Sequence, residues 1–169
     1  MNTLPLSWDY PKGLFVMKEG RSSEAKKKPV KMKRFEVLDH TADTGLIVYG
    51  ENLKALFENA GEAFFRLITD LKKVRPKIEK RIEIEGESLE RLMVDWLNEL
   101  LYLHEVESLL FKEFHVESVG ENGLRARLKG EPFQEGMHVI KTGVKAVTHH
   151  QIEVREERGI WRARVILDL

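Results

Sequence analysis

The amino-acid sequence predicts an α+β domain: a mainly antiparallel sheet of about seven strands with two amphipathic helices packed on one face. Two segments repeat apolar residues every three or four positions, as amphipathic helices do. Most other segments alternate apolar and polar residues, as strands do, and turn residues at 120–123 and 158–159 indicate two hairpins. Because hairpins pair antiparallel strands, the sheet should be mainly antiparallel.

The predicted domain opens with two strands and a helix, starting near Arg34. Residues 35–38 and 46–49 are short apolar runs that indicate the strands. Asn52 is a good N-cap for the helix, which should end near Asp70. The apolar stripe of this helix consists of Leu53, Leu56, Phe57, Ala60, Phe64, Leu67 and Ile68. Such a stripe is expected to be buried against a sheet.

A third strand and a second helix follow. Residues 78–85 alternate apolar and charged side chains, which predicts a strand with one solvated face. Ser88 is a good N-cap for the helix, which should reach about Leu103. Its apolar stripe consists of Leu89, Leu92, Met93, Trp96, Leu97 and Leu100. The polar residues Asp95, Asn98 and Glu99 indicate a solvated or partner-binding face of the same helix.

The remainder of the chain is predicted to be rich in strands. Residues 111–119 and 124–128 form one hairpin, and residues 145–155 and 160–169 form another. The segment 131–143 contains a proline and two glycines and indicates a long loop between the hairpins.

Composition limits the chemistry that this protein can perform. A chain of 169 residues suits one domain with a tail. The 28 basic and 28 acidic residues cancel, so no net charge attracts the protein to RNA or DNA. The chain has no cysteine, which excludes disulfides, thiolate zinc sites and cysteine nucleophiles. Any metal must therefore bind through oxygen or imidazole.

Residues 1–33 are expected to be a poorly ordered extension of a domain that covers residues 34–169. The extension contains three prolines and three consecutive lysines at 26–28, without a persistent helical or strand period. It is either a basic arm that contacts RNA or an acidic partner, or a solvated tail. Residues 1–17 do not resemble a secretory signal, and no apolar run approaches the roughly 18 residues of a membrane span. A cytoplasmic protein without membrane contact is expected.

A dense polar segment, Asp39–Asp43, lies between the first two predicted strands. It contains two carboxylates, an imidazole and a hydroxyl within five residues. These groups could gather a hard cation such as Ca²⁺ or Mg²⁺, or act as an acid–base site. Alternatively, the aspartate and threonine side chains accept hydrogen bonds from local backbone donors in a turn.

Two further candidates lie near the other end of the chain. Asp168 is on the polar face of the last strand, where it and the terminal carboxylate of Leu169 could complete a metal site; otherwise it is an exposed acid. His149 and His150 should point to opposite faces of their strand, so at most one would face such a site. Both could equally be packed or surface histidines.

Four motifs can be compared with known families. They are Asp39–Gly45 (DHTADTG), Asp95–Leu101 (DWLNELL), Val144–His150 (VKAVTHH) and the final Asp168-Leu169. In this order, over residues 34–169, they resemble the archease family. The third motif departs from the family at His149, which stands where the family has a tyrosine.

The resemblance implies a metal site and a function. Asp43 and Asp168 would share a divalent cation, Ca²⁺ or else Mg²⁺ or Mn²⁺, with a backbone or terminal carboxylate oxygen of Leu169 added. The residues Asp39, His40, Thr41 and His150 would line the same pocket. Archeases are protein cofactors of the RtcB-type RNA ligase, promoting its guanylylation and multiple turnover in tRNA splicing and RNA repair. The resemblance therefore implies an activator, not an enzyme, that contacts RNA mainly through the ligase.

Two other functions are open. A metal-dependent hydrolase would turn over a phosphoester alone, using Asp39, His40, Asp43 and His150. A chaperone or interaction module would serve an RNA-modifying enzyme, such as a tRNA methyltransferase, and would not depend on Asp43 or Asp168.

Overall fold

Two helices and seven strands make up the fold of the computed structural model, which describes residues 32–39 and 43–169. The elements are β1 (Phe35–Asp39), β2 (Asp43–Gly50), α1 (Leu53–Ile68), β3 (Ile78–Glu85), α2 (Leu89–Glu105), β4 (Leu109–Gly120), β5 (Gly123–Pro132), β6 (Ala146–Glu157) and β7 (Ile160–Asp168). The predicted α+β class is confirmed. The expected extension, apart from residues 32 and 33, lies outside the described residues. Within the described ranges, no helix is long and apolar enough to cross a membrane.

The seven strands are divided between two antiparallel sheets. The first sheet has the order β1-β2-β7-β6, and the second has the order β3-β5-β4. Helix α1 packs against β2 of the first sheet and β4 of the second, while α2 packs against β6 and β4. Each helix therefore contacts both sheets, and the apolar residues of both sheets and both helices form one continuous core.

Both helices begin at the predicted caps. The Asn52 Oδ1 accepts a hydrogen bond of 2.8 Å from the Ala55 N–H, and the Ser88 Oγ accepts one of 3.2 Å from the Arg91 N–H. Trp96 is fully buried, and its Nε1–H donates to the carbonyl oxygen of Phe57 at 2.9 Å. This bond satisfies the polar atom of a core tryptophan and joins α2 to α1.

The backbones of β4 and β5 approach each other closely at Gly130. A Cβ atom at this position would overlap the carbonyl oxygen of Leu110 and lie 2.7 Å from the Cα of Phe111. The pairing of β4 with β5 shifts register just after Phe111, so the close contact is next to a bulge. Only a residue without a side chain fits there.

A buried glutamate anchors the start of the segment that joins β5 to β6. The Glu131 Oε1 accepts hydrogen bonds from the Arg75 N–H at 3.0 Å and from the His138 Nε2 at 2.9 Å. The His138 Nδ1 accepts from the Gln134 N–H at 3.0 Å, so the imidazole proton is on Nε2. These bonds hold the first half of the long connection against residues 73–75.

Replacing Glu131 with glutamine should destabilise the protein by about 2 kcal/mol at neutral pH, since buried donors lose a charged acceptor. Burial raises the pKa of the Glu131 carboxyl, but hydrogen bonds from Arg75 and His138 outweigh it, so the pKa lies below its ordinary 4.5. A lowered pKa stabilises the fold above the unfolded-state value, and this stability is lost as the pH falls through the folded-state value. Urea unfolding of the wild-type protein and Glu131→Gln should show that the difference between their free energies of unfolding becomes smaller below about pH 4.5. A difference that does not change with pH would contradict an ionised Glu131 carboxylate.

Candidate metal site at the end of the first sheet

Asp43 and Asp168 lie directly opposite each other. Asp43 is the first residue of β2, Asp168 is the last residue of β7, and the two are partners in the antiparallel ladder. Directly opposed residues point to the same face, with Cβ atoms about 4.5–5.5 Å apart. Two carboxylates at this spacing can share one cation, since Ca²⁺ binds oxygen at about 2.3–2.6 Å.

The surroundings of this carboxylate pair leave both carboxylates open to a ligand. Both side chains are exposed, and neither forms a hydrogen bond or ion pair with a residue of the described ranges. Opposed like charges destabilise a ladder, and a cation between them removes the repulsion. Among residues 32–39 and 43–169, no three His, Asp or Glu side chains converge on one point. The donors therefore fit a hard, oxygen-binding cation whose other ligands are water or backbone oxygen.

Backbone pairing fixes the end of β7. Asp168 is also the partner of Ala146 in β6, and its carbonyl oxygen accepts a hydrogen bond of 2.8 Å from the Lys145 N–H. Leu169 follows, and its side chain packs against the core. Asp168 is thus held between β2 on one side and the start of β6 on the other.

Two other predicted pocket residues, Asp39 and His150, lie within the described ranges and do not join the pair. Asp39 is the ladder partner of Thr44, and because side chains alternate along β2, this places Asp39 on the face opposite to Asp43. His150 is exposed and does not join the two aspartates in a cluster of three. His40 and Thr41 lie outside the described residues.

The two neighbouring histidines lie in an irregular part of β6. Thr148 pairs with Ile166 and Glu153 pairs with Arg164, so residues 149–152 lie opposite one residue of β7. Gln151 adopts a φ of 52°, in the left-handed region. Side chains therefore do not alternate regularly between the two faces of β6 here, as had been expected for His149 and His150. Both histidines are exposed.

Asn98 of α2 bonds the backbone of β6 near the candidate site. Its side-chain amide donates to the Val147 carbonyl oxygen at 3.4 Å and accepts from the Val147 N–H at 3.3 Å. β6 is an edge strand, so Asn98 replaces the missing neighbouring strand at Val147. The residue was expected on a solvated or partner-binding face; it is half-buried, and its side-chain amide satisfies this strand edge.

Comparisons with known proteins assign the domain to a family. Residues 35–169 match the model of the Archease protein family. Protein archease of Methanosarcina mazei is 40% identical over 145 residues, covering 83% of this chain and 99% of that protein. Protein archease of Methanothermobacter thermautotrophicus is 44% identical over 141 residues, covering 82% and 100%.

Two solved structures are similar to this one. The solution structure of protein 1598 from Methanobacterium thermoautotrophicum superposes with a TM-score of 0.72 at 44% identity, covering 82% of this chain and all of that chain. The crystal structure of an archease from Thermotoga maritima, described as a possible chaperone, has a TM-score of 0.56 at 20% identity, covering 78% and 94%. At 20% identity, the similarity to the Thermotoga maritima structure shows a shared fold alone. With the family match over nearly all of the domain, these findings show that the chain belongs to the archease family.

Proposed function

We propose that this protein is a metal-binding activator of an RtcB-type RNA ligase, promoting guanylylation and multiple turnover in tRNA splicing and RNA repair. The observation that carries the proposal is the carboxylate pair Asp43 and Asp168, exposed and directly opposed at the end of the first sheet. Membership of the archease family supports the same assignment, through the cofactor role that the sequence motifs imply.

In this proposal the two aspartates hold a divalent cation, Ca²⁺ or else Mg²⁺ or Mn²⁺, where a partner can reach it. A bound cation would supply charge screening for the triphosphate during guanylyl transfer in the ligase. Asp43 and Asp168 contribute two anionic oxygen ligands, and the paired strands β2 and β7 keep them at a fixed separation. RNA would be contacted mainly through the ligase.

Guanylylation of a purified RtcB-type ligase with GTP, measured with and without this protein, tests the proposal. The wild-type protein should stimulate the reaction, while Asp43→Ala and Asp168→Ala should reduce stimulation to near the level of the ligase alone. Glu83→Ala is the matched control: this carboxylate is on β3 and 68% exposed, and its ion pair with Arg125 is worth little. Normal stimulation by both folded aspartate variants would contradict the proposal.

A chaperone for an RNA-modifying enzyme is the second candidate. It is favoured by the description of the Thermotoga maritima relative as a possible chaperone. A chaperone role predicts that co-purification enriches such an enzyme, for example a tRNA methyltransferase, and no ligase. It also predicts that Asp43→Ala and Asp168→Ala bind that enzyme as the wild-type protein does.

A further inference from the structure

Exposed basic and aliphatic side chains share a surface where two connecting segments run side by side. The segments are residues 69–77, between α1 and β3, and residues 137–141, between β5 and β6. Thr69 forms a β-bridge with Ile140, and its Oγ1 donates to the Val139 carbonyl oxygen at 2.8 Å. The exposed side chains of the two segments therefore form one surface, the basic–aliphatic patch.

Three large aliphatic side chains of the patch are exposed within four residues. Met137, Val139 and Ile140 are 37%, 65% and 39% exposed. The part of the chain that the structure describes has seven exposed large hydrophobic side chains, so nearly half of them are in this one segment. A single exposed hydrophobic residue is common on protein surfaces, whereas a contiguous group is typical of a surface that another molecule covers.

Basic side chains come from both segments of the patch. The structure exposes all five of them: Lys72, Lys73, Arg75, Lys77 and Lys141. Among the described residues, no acidic side chain forms an ion pair with the lysines at 72, 73 and 141.

The acidic groups in or beside the patch are fewer. Asp70 accepts a hydrogen bond from the Lys72 N–H, Glu131 is buried, and Glu135 is exposed. The chain as a whole has 28 basic and 28 acidic residues, so the excess of positive charge is a local property of this surface. A local excess of this kind attracts a partner of opposite charge.

The Arg75 side chain joins the two segments of the patch. Its Nη2 donates to the Met137 Sδ at 3.4 Å, and its Nε lies 3.5 Å from the buried Glu131 Oε2. The His138 Nε2, which bonds Glu131, also lies 3.2 Å from the Lys73 carbonyl oxygen. The patch is thus held in one arrangement, and a partner need not order it on binding.

The composition of the patch favours a protein partner. Protein interfaces have an apolar core, in which methionine and arginine are enriched and lysine is depleted, and a polar rim. Arg75 contacts Met137 here, and the other four basic residues are lysines, which suit a rim. Proteins that bind single-stranded RNA instead stack its bases on aromatic side chains, and residues 137–140 contain none.

We propose that the basic–aliphatic patch binds a protein segment in which aliphatic residues are flanked by aspartate or glutamate. The aliphatic side chains of the segment pack on Met137, Val139 and Ile140, and its carboxylates pair with the exposed lysines. The positive charge of the patch is complementary to an acidic segment and repels a basic one. This binding does not depend on the carboxylate pair of the first sheet.

Selection from a phage-displayed library of short random peptides tests the proposal. The full-length wild-type protein should select peptides enriched in acidic and aliphatic residues. Binding of a selected peptide, measured by fluorescence anisotropy, should weaken about tenfold in Val139→Ser and in Lys73→Glu. Circular dichroism checks that each variant is folded.

Two matched variants control for the kind of substitution. Val106→Ser makes the same change as Val139→Ser at a valine of 61% exposure, at the end of α2. Lys54→Glu reverses a charge in the first turn of α1, about 20 Å from the end of this helix that adjoins the patch. Both should bind the peptide within about twofold of the wild-type protein.

Random-sequence single-stranded RNA, and phosphatidylcholine vesicles that contain phosphatidylserine, are tested with the same variants. If either binds more tightly than the selected peptide and is lost in Val139→Ser and Lys73→Glu, the patch binds nucleic acid or lipid and the proposal is overturned. It is also overturned if no peptide is selected, if the selected peptides lack acidic residues, or if all four variants bind alike. None of these measurements uses the ligase, so their outcome is independent of the proposed function.

Discussion

Asp168→Asn should raise the thermal midpoint of the cation-free protein by about 1–2 °C and weaken its binding of Ca²⁺ at least about 100-fold. The two effects have one cause. Asp43 and Asp168 are opposed in the ladder without a cationic side chain of the described ranges between them, so one neutral amide removes their repulsion. The same change removes an anionic oxygen that would bind the cation. Even the mutation of a residue that only hydrogen-bonds to a metal ligand commonly lowers metal affinity 10- to 100-fold.

Thermal unfolding with and without added CaCl₂, together with calorimetric titration, measures both effects. A ligand that binds the folded state raises the thermal midpoint, so the midpoint of the wild-type protein should rise with increasing Ca²⁺. This rise should disappear in Asp168→Asn. Glu83→Gln removes a negative charge elsewhere and should keep the Ca²⁺-dependent rise. A wild-type midpoint that does not respond to Ca²⁺, Mg²⁺ or Mn²⁺ would contradict the metal site.

Gly130→Ala should destabilise the domain by about 3 kcal/mol or more. The new methyl group would overlap the Leu110 carbonyl oxygen, and both the oxygen and the nearby Phe111 Cα belong to the backbone of β4. Backbone atoms in a paired strand cannot move aside as a flexible side chain can, so the strands must separate locally. Because β5 is the central strand of the second sheet, the strain weakens that sheet as a whole.

Urea unfolding of Gly130→Ala and Gly120→Ala provides a matched comparison. A Cβ atom at Gly120 would meet nothing within 4 Å, although the residue is in the same hairpin. Gly120→Ala should therefore be neutral or stabilise by about 0.4–1 kcal/mol, since alanine restricts the unfolded chain. Equal stability of the two variants would show that the close contact at Gly130 can relax.

The local elements could be predicted because they depend on spacing within a few residues. The caps Asn52 and Ser88 and the apolar stripes of the helices are of this kind, and their predicted positions agree with the structure. The division of the strands between two sheets could not be predicted, because no local pattern says which distant strand is a neighbour. The turn at 120–123 correctly indicated a hairpin between β4 and β5.

The geometry of the candidate site could be predicted only in part. The resemblance to archeases pointed to Asp43 and Asp168, but their direct opposition follows from the register of β2 with β7, which the sequence does not specify. The irregular stretch at 149–152 has no glycine to signal its left-handed residue, Gln151, so regular alternation was expected there. The helical period of α2 predicts Asn98 on the surface, yet its side chain bonds the backbone of β6. The sequence could not predict this contact, because it does not show that β6 lies beside α2.

The pairing of β2 with β7 also has a kinetic consequence. It joins segments near opposite ends of the domain, and such long-range contacts form late because closing a large loop is entropically costly. The two carboxylates should therefore meet only after most of the domain has formed. Interactions absent from the transition state affect unfolding more than folding. A cation bound between the aspartates should thus lengthen the lifetime of the native state while leaving the rate of its formation almost unchanged.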